Sequence, residues 1–461
     1  MEKTDKLKSA WDKLDRNQLD LLEGINKEYL TFLNLAKTER EAVEYIVETS
    51  INHNFIDIAD AKQIKAGDKL VYQLKDKICA LIVMGENPLE DGANIVASHI
   101  DSPRIDLKAQ PLYEADGQAL FKTHYYGGIK KYQWVTIPLA LHGVVCKKSG
   151  ENVKVVIGEE ADDMVFTISD LLPHLAKDQM EKKASEVIKG EDLNVLIGNY
   201  PLKDAHSDPV KANIMKILQE KYNIENDDFA SAEFQLVPAF KAREVGFDRS
   251  MIGGYGQDDR VCAYTSLRAA LEVENPQTTA ICLFVDKEEI GSTGNTGLQS
   301  LLIENLVAEL FTKMGEKDYF KVRQTLANSY ALSADVNAAF DPNYPEVFEK
   351  LNNSFMSRGV VLTKYTGSRG KSSSNDANPE FLAKIRRLFD DYDVLWQVGE
   401  LGKVDIGGGG TVAQYMSWYG MEVVDLGVAV LSMHSPFEVT SKADVYMAYR
   451  AYLGFMQSFL A

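Results

Sequence analysis

Two adjacent acids, Glu288 and Glu289, closely follow an apolar stretch of the sequence. A surface segment would explain the acids but not the apolar stretch, and a buried strand would explain the apolar stretch but not the acids. The apolar stretch TTAICLFV leads almost directly into them, and the glycine-rich turn IGSTG follows. One acid after a strand is typical of an ordinary turn, but two neighbouring acids require a further reason. One carboxylate can bind a divalent metal ion while the other acts as a general base towards water. The pair therefore predicts a hydrolytic metal site.

Metal-competent side chains follow apolar runs at four further places in the chain. These residues are His99 and Asp101 in ANIVASHID, Asp258 and Asp259 in GGYGQDDRV, Asp335 in YALSADV, and His434 in AVLSMHS. Functional groups in open α/β sheets gather just beyond the carboxyl ends of the strands. Two divalent ions about 3.5–4 Å apart require roughly this set of ligands, with one carboxylate bridging them. Imidazole and carboxylate ligands suit zinc first, with cobalt or manganese as alternatives.

Several familiar catalytic signatures are absent from the sequence. It has no HExxH, no GxSxG, no phosphate-binding GxxxxGK[ST] and no dinucleotide fingerprint. The run IGGGGTV at 406–412 could cradle a phosphate, but it lacks a lysine partner. We therefore expect a tight turn or a loop that approaches a substrate closely, with Gly409 and Gly410 as substrate-binding candidates.

The composition is that of a soluble globular protein too long for one core. The chain has 461 residues, of which 45% are hydrophobic and 26% charged, which predicts two domains or one domain with a large insertion. A formal net charge of −18 disfavours a nucleic-acid partner. No apolar run is long enough to cross a membrane, and the charged N-terminus has no apolar signal segment. These features predict a cytoplasmic protein without membrane contact.

The four cysteines are Cys79, Cys146, Cys262 and Cys282, and none forms a CxxC pair. Three of them lie within apolar runs, and Cys146 ends one. We expect buried free thiols in a reducing compartment rather than disulfides or zinc ligands.

The order of patterns along the chain predicts an interrupted α/β domain. Strand-like and helix-like segments alternate near the N-terminus, short β-like pieces dominate from about 105 to 200, and alternation returns from about 260. We therefore predict an α/β catalytic domain made of residues 1–104 and 245–461. An inserted β-rich domain would occupy residues 105–244.

Five stretches together resemble the M18 family of metalloaminopeptidases, the aspartyl aminopeptidase family. They are SHIDSP, GQDDRVCAY, DKEEIGSTG, SADVNAAFDPNY and LSMHSPFEVTSKAD, and their order and spacing match the family's motifs. The similarity covers nearly the whole chain and includes DLLPHLA in the insertion. It implies a zinc-exopeptidase-like mixed sheet flanked by helices, with the inserted domain serving in dimerisation or as a lid.

The resemblance also implies a two-zinc enzyme that removes the N-terminal residue from peptides with a free amine. The family's pattern assigns the roles as follows: His99 and Asp335 bind one metal ion, Glu289 and His434 bind the other, Asp258 bridges both, Glu288 is the general base, and Asp101 orients His99. The family forms a tetrahedral dodecamer built from dimers. A histidine that matches His174 in DLLPHLA reaches a neighbouring subunit's active site, where it stabilises the developing oxyanion.

The substrate-recognition segment departs from the aspartyl pattern. In that pattern a lysine within a segment bearing NQRY recognises the acidic side chain, whereas this chain reads LTKYTGSRGKSSSND. Lys364 corresponds to the lysine, and Lys371 falls about where the tyrosine would be. The W-x-DR that follows the glycine turn in the aspartyl enzymes is also absent. The preferred N-terminal residue, acidic or apolar, therefore stays open at the level of sequence.

Two other functions are compatible with the same residues. A dinuclear zinc deacylase or carboxypeptidase would use this metal set and act on N-blocked substrates. A non-catalytic oligomeric scaffold would keep the fold without turnover. The presence of all six metal-site residues, Glu288 included, favours the enzyme over the scaffold.

Overall fold

The structure is a computed structural model that describes residues 9–458. In chain order the strands are β1 (Ile56–Asp57), β2 (Lys69–Leu74), β3 (Ile78–Val83), β4 (Ala93–His99), β5 (Arg104–Ala115), β6 (Gln118–Tyr126), β7 (Leu139–Cys146), β8 (Asn152–Ile157), β9 (Val195–Gly198), β10 (Ala232–Pro238), β11 (Arg243–Val245), β12 (Met251–Gly254), β13 (Thr279–Val285), β14 (Tyr330–Ser333), β15 (Asn337–Ala338), β16 (Val360–Thr363), β17 (Trp396–Val398), β18 (Glu422–Gly427), β19 (Ala429–Leu431) and β20 (Glu438–Ser441).

The helices alternate with these strands in most of the chain. They are α1 (Arg16–Leu35), α2 (Glu39–Ile51), α3 (Lys177–Met180), α4 (Ala184–Val187), α5 (Pro209–Tyr222), α6 (Gln257–Glu272), α7 (Leu302–Lys313), α8 (Tyr319–Asn328), α9 (Pro379–Asp391), α10 (Ala413–Ser417) and α11 (Lys442–Gln457).

The chain divides into two compact units. Within the described residues, the first unit runs to Asp101 and includes Ala242–Met433 and the chain from Phe437 onwards. The second consists of Ser102–Lys241 and the short segment His434–Pro436. The predicted boundaries, at 104/105 and 244/245, each lie three residues from the observed divisions at 101/102 and 241/242. The role of the second unit in dimerisation or as a lid stays a prediction.

The first unit is built on a mixed nine-stranded sheet in the order β1-β2-β3-β13-β4-β14-β18-β16-β17. At its centre β4 pairs in parallel with both β13 and β14. Strand β3 is antiparallel to β13, and β16 is antiparallel to β18. The predicted α/β fold class, a mixed sheet flanked by helices, is confirmed.

Helices cover both faces of this sheet because its strands are apolar on both sides. In β4 the side chain of Val96 belongs to one core, with residues of α1, α2, α6, α9 and α11. Its neighbours Ile95 and Ala97 belong to the other core, with residues of α7, α8 and α10. Strand β13 is buried along its whole length for the same reason. Each large apolar side chain buried in this way contributes roughly 1.5–3 kcal/mol.

Local sequence signals set the starts of the first two helices. At the start of α1, the Asp15 side chain accepts a hydrogen bond from the Gln18 backbone N–H, and the Gln18 side-chain oxygen accepts one from the Asp15 backbone N–H. Thr38 and Glu41 form the same reciprocal pair at the start of α2. Such capping boxes satisfy backbone donors that the first helical turn leaves without partners.

A smaller sheet in the first unit carries the order β11-β12-β20-β19-β15. Strand β12 leads into α6, and β20 leads directly into α11. This sheet therefore leads into α6, the helix whose first turn carries the adjacent acids Asp258 and Asp259.

The second unit is a six-stranded sheet in the order β8-β7-β10-β5-β6-β9, and all its pairs are antiparallel. Helix α5 packs against it, with Ile214 beside Gly198 of β9. The short β-like pieces in the sequence correspond to these strands.

The thiols and the helices bear on two further predictions. Cys79, Cys262 and Cys282 are buried and free as expected, but Cys146 is exposed at the end of β7, where the chain turns into β8. In the part of the chain that the structure describes, no helix combines the length and the apolar character needed to cross a membrane. The cytoplasmic location stays a prediction.

Candidate metal centre

Three neighbouring strands of the central sheet deliver acids and a histidine to one edge. Val285 at the end of β13 is level with His99 at the end of β4. Ser333 at the end of β14 is level with Ala97, so Asp335, two residues later, continues to the level of His99. Because these three strands are parallel, the residues beyond their carboxyl ends meet at the same edge.

Asp258 and Asp259 reach the site from the first turn of α6. Gly256 precedes them with φ +73°, a left-handed conformation that favours glycine. Both aspartates depart from helical φ/ψ values, and the peptide bond between them is cis. The Asp258 backbone N–H donates to Glu438 Oε2 over 3.0 Å, which ties this turn to β20.

The ring of His99 lies at the middle of the acids. Its Nε2 atom is 3.2 Å from Asp258 Oδ1, 3.9 Å from Glu288 Oε2 and 4.0 Å from Asp335 Oδ1. The His99 side chain is 2% exposed, so these short distances join groups that water barely reaches.

Two sets of ligand atoms converge closely enough to hold a metal ion. His99, Asp258 and Glu289 form one set, and His99, Asp259 and Asp335 form the other, with all atoms of each set within 4.8 Å of one another. Four of these five residues are predicted ligands. Asp259 is the addition: the sequence marks it as metal-competent beside Asp258, but the family's pattern assigns it no role.

Asp101 holds both the histidine and the two glutamates. His99 Nδ1 lies 3.0 Å from the Asp101 carbonyl oxygen and 3.4 Å from its Oδ1. The backbone N–H groups of Glu288 and Glu289 donate to Asp101 Oδ1 and Oδ2 over 3.1 and 3.2 Å. Asp101, which was predicted to orient His99, therefore also fixes the turn that carries Glu288, the predicted general base.

The glutamates lie in a short 3-10 turn, Glu288–Ile290, that is anchored at its start by Asp286. Asp286 accepts hydrogen bonds from the Lys287 backbone N–H (2.8 Å), from Lys287 Nζ (2.9 Å) and from Thr296 Oγ1 (2.7 Å). The loop from 286 to 296 is thus closed on itself. No pattern in the sequence identified Asp286 or Thr296, because their partners become neighbours only in the folded loop.

Burial and like charges perturb the titration of this cluster. Burial lowers the pKa of His99, but hydrogen bonds to Asp101 and Asp258 and the charges of Glu288 and Asp335 outweigh it and hold that pKa well above its usual range. Burial raises the pKa of Asp335 strongly; the His99 charge opposes this, and nearby carboxylates add to it. Burial and the charge of Asp335 raise the pKa of Asp259, against a smaller opposing effect of His99 and the Cys262 thiol.

The donor set fits a divalent cation. Six carboxylates surround one imidazole; they belong to Asp101, Asp258, Asp259, Glu288, Glu289 and Asp335. Buried anions in such excess are unfavourable unless a positive charge compensates them. Imidazole and carboxylate donors are those that zinc, cobalt and manganese bind.

Two predicted residues belong to the second unit. His434 has φ +64°, and its Nδ1 lies 2.8 Å from the Gly128 carbonyl oxygen. Among the described residues, it is in neither set of converging ligand atoms. His174 is exposed in the 3-10 turn Pro173–Leu175. The roles predicted for both histidines stay predictions.

The predicted substrate-binding segments meet in one cleft of the first unit. The Gly367 N–H donates to the Gly409 carbonyl oxygen over 2.5 Å, which joins the lysine-bearing loop to the glycine-rich loop. A cleft of about 230 Å³ lies between residues 365–371 and 400–408 and includes Lys371 in its lining. Gly409 and Gly410 adjoin this lining, and Lys364 precedes it.

The lysines at the cleft already have an acidic partner. Lys371 Nζ lies 2.9 Å from Asp376 Oδ2 and 3.8 Å from the centre of the Tyr365 ring. Lys364 Nζ is 4.0 Å from the other oxygen of Asp376. One aspartate thus faces both candidate lysines.

Comparisons with known proteins agree with this architecture. The sequence matches the family described as aminopeptidase I zinc metalloprotease (M18) over residues 32–456. The probable M18 family aminopeptidase 1 of Clostridium acetobutylicum is 52% identical over 98% of this chain and 98% of its own length. This chain belongs to the M18 family of aminopeptidases. It is an enzyme of the metallopeptidase class, as the motifs predicted.

Solved M18 structures share the fold over nearly the whole chain. The M18 aminopeptidase of Thermotoga maritima superposes with a TM-score of 0.95 at 44% identity and covers 98% of this chain and 100% of its own. Aminopeptidase I of Clostridium acetobutylicum gives a TM-score of 0.91 at 51% identity, covering 98% of this chain and 99% of its own. A dodecamer of yeast mApe1 shares the fold at 22% identity, with a TM-score of 0.75 and coverages of 95% and 97%.

Proposed function

We propose that this M18 aminopeptidase removes N-terminal residues from peptides with a free amine at a centre of two divalent ions, most simply zinc. His99 and Asp335 would bind one ion, Glu289 would bind the other, and Asp258 would bridge them. The observation that carries the proposal is the convergence of one imidazole and several buried carboxylates at one sheet edge. The family resemblance adds His434 as a ligand, and that assignment stays a prediction.

The side chains around the ions have distinct tasks. When bound, the ions would supply Lewis acidity, which lowers the pKa of water and polarises a carbonyl group. Glu288 is suited to take the proton from water, because its side chain is 16% exposed while the ligand His99 is 2% exposed. The Asp101 carboxylate accepts the Glu288 backbone N–H, and the Asp101 carbonyl oxygen lies beside His99 Nδ1. Asp101 therefore positions both the proposed base and a proposed metal ligand.

The cleft favours apolar over acidic N-terminal side chains. An acidic substrate side chain would have to compete with Asp376 for Lys371 and Lys364. The other charges of the lining are mixed, with Arg369 and Lys403 against Glu400 and Asp405. Together with Lys371, Lys364 and Asp376, these residues make four cations and three anions, and so small an excess of positive charge gives little preference for a carboxylate.

Assembly into a homo-oligomer is supported by an exposed apolar segment of the second unit. Its large apolar side chains, each about half exposed or more, are Met164, Val165, Leu171, Leu172, Leu175 and Met180. Exposed apolar clusters of this kind mark protein interfaces. We propose a tetrahedral dodecamer built from dimers, in which His174 of this segment serves a neighbouring subunit's site.

Hydrolysis of a substrate panel by metal-reconstituted protein tests the function. Aminoacyl substrates of Asp, Glu, Leu, Met and Lys would be assayed with free and with acetylated amines. We expect cleavage of free-amine substrates only, with Leu and Met substrates cleaved faster than Asp and Glu substrates. Cleavage of the acetylated series would instead indicate a deacylase or carboxypeptidase, and no cleavage with any metal would indicate a scaffold.

A further inference from the structure

Asp425 is a buried acid of the first unit that the proposed metal centre does not use. It lies in β18, is 3% exposed, and among the described residues belongs to neither set of converging ligand atoms. Burial raises the pKa of Asp425 to about 6, and the hydroxyl groups of Thr411 and Ser333 oppose that rise. A buried carboxylate is unfavourable unless hydrogen bonds replace its lost water. Asp425 therefore depends on these two hydroxyl groups.

Thr411 reaches Asp425 from the glycine-rich loop, residues 406–412. Its Oγ1 atom donates to Asp425 Oδ1 over 2.6 Å and accepts the Ala413 backbone N–H at 3.3 Å. The first distance is typical of a hydroxyl group that donates to a charged carboxylate, and such bonds are roughly twice as strong as neutral ones. The Thr411–Asp425 contact thus ties the glycine-rich loop to β18.

The neighbours of Asp425 in the sheet lead to the metal centre on one side and to the cleft on the other. Ser333 of β14 is level with Asp425, and the proposed ligand Asp335 follows it by two residues. Thr363 of β16 is level with Asp425 on the other side and directly precedes Lys364. Asp425 therefore lies between the strand that carries a metal ligand and the strand that enters the lysine-bearing loop.

Close packing holds the first half of the glycine-rich loop. A Cβ atom on Gly407 would overlap the Leu401 carbonyl oxygen, and one on Gly408 would overlap the Gly367 carbonyl oxygen. All four residues line the substrate cleft. This half of the loop therefore requires glycine in order to fit between its own neighbours.

The second half of the loop, Gly409 and Gly410, has room for side chains. A Cβ atom on either residue would lie 3.5 Å or more from atoms beyond its chain neighbours, which is ordinary contact. Neither residue has a positive φ. Packing and backbone conformation therefore do not explain glycine here, whereas an open backbone admits a ligand at close range. Thr411 follows directly, so its bond to Asp425 fixes the position of this open backbone.

We infer that Asp425 is a positioning residue for substrate binding, which acts through Thr411 to hold Gly409 and Gly410 beside the substrate. The inference rests on the proposed function, because that function places the substrate in the cleft. Loss of the Thr411–Asp425 contact should raise KM more than it lowers kcat, since the metal ligands and Glu288 keep their places. Zinc affinity should not change.

Substitution of Thr411 tests the contact through kinetics. Thr411→Val keeps the shape of the side chain but removes the hydroxyl group. KM for a free-amine leucine substrate should rise about tenfold, the scale of one hydrogen bond to a charged group, with kcat and calorimetric zinc affinity close to wild type. Thr411→Ser keeps the hydroxyl group and should restore KM. An unchanged KM in Thr411→Val, or a loss confined to kcat and zinc affinity, would overturn the inference.

A double variant tests whether the two residues act as one unit. Asp425→Asn should raise KM less than Thr411→Val does, because an amide oxygen still accepts the Thr411 hydroxyl group. Combining the two changes should give the KM of Thr411→Val alone, since both act on the same bond. Increases in KM that multiply in the double variant would contradict the assignment of Asp425.

Thr325→Val is the matched control for a merely structural loss. It removes another buried hydroxyl group of the first unit, one that donates to the Lys321 carbonyl oxygen within α8. We expect a lower Tm and a wild-type KM from this variant. A rise in KM equal to that of Thr411→Val would mean that lost stability alone explains the kinetics, and would overturn the inference.

Hydrogen exchange tests the position of the loop without any activity. Backbone amides of residues 406–413 should exchange about tenfold faster in Thr411→Val than in wild type, because local opening becomes easier, while those of α8 keep their rate. Equal exchange in the loop would overturn the inference. A wild-type protein that cleaves no free-amine substrate would instead contradict the proposed function, so the two failures are distinguishable.

Discussion

The metal centre and the substrate cleft belong to the same unit but differ in the burial and pairing of their charged side chains. At the centre, carboxylates outnumber the one imidazole, and burial raises the pKa of two of them, Asp259 and Asp335. In the cleft, Lys371 and Lys364 are roughly half exposed and share Asp376. The centre has a large excess of anions that a bound cation would compensate, whereas the cations and anions of the cleft are nearly equal in number. Catalysis should therefore depend strongly on single residues of the centre, and specificity only weakly on single charges of the cleft.

Replacing the general base should give the largest effect. Glu288→Gln keeps the shape of the side chain but removes its ability to accept a proton, so kcat should fall about 10²–10⁴-fold. Zinc content should stay at the wild-type value, measured by elemental analysis. Glu309→Gln on the surface of α7 is the matched control and should be as active as wild type. A Glu288→Gln enzyme with normal kcat would contradict the role of Glu288 as the general base.

Asp101→Asn should have the next largest effect. An amide cannot accept hydrogen bonds at both positions, so one of the two N–H groups of Glu288 and Glu289 loses its acceptor. Zinc affinity and kcat should both fall about 10–100-fold, as expected for residues that orient metal ligands. Zinc titrations and initial rates, with the exposed Asp60→Asn as control, would measure this. A change in KM alone would mean that Asp101 acts on substrate instead.

Thr296→Val should cost stability more than chemistry. The change removes the hydroxyl that donates to buried Asp286 and leaves that acceptor short of one bond. The free energy of unfolding should fall by about 1–3 kcal/mol. Urea unfolding followed by tryptophan fluorescence measures this difference. Unchanged stability would show that the loop from 286 to 296 is not held by this clamp.

Asp376→Asn should have the smallest effect and acts on the cleft. Without this carboxylate, Lys371 and Lys364 become available to an acidic substrate side chain. The ratio of kcat/KM for Glu over Leu substrates should rise about two- to fivefold, in line with an exposed ion pair. Lys371→Gln in the same background should abolish the gain. An unchanged ratio of kcat/KM for Glu over Leu substrates would mean that this cleft does not bind the N-terminal side chain of the substrate.

Much of the centre could be predicted from the sequence because three of its proposed ligands follow apolar strands. Once β4, β13 and β14 are parallel neighbours, His99, Glu289 and Asp335 meet at one edge. The α/β fold class follows from the same alternation of strand and helix patterns. Burial of the thiols was also predictable, except for Cys146, which is exposed beside the turn between β7 and β8.

The rest depends on contacts between residues distant in sequence. Glu438 accepts the Asp258 N–H across 180 residues, and Asp101 reaches the glutamate turn across 187. The pairing of Asp376 with both lysines likewise requires the fold of their loop. These contacts leave no periodic pattern in the sequence.

The most direct test of the account is a zinc titration of metal-free protein with bound zinc and hydrolysis of a free-amine leucine substrate followed together. The account predicts two ions bound per chain, with full activity only when the second is in place. Full activity with a single ion per chain, or two bound ions without hydrolysis of any free-amine substrate, would contradict it.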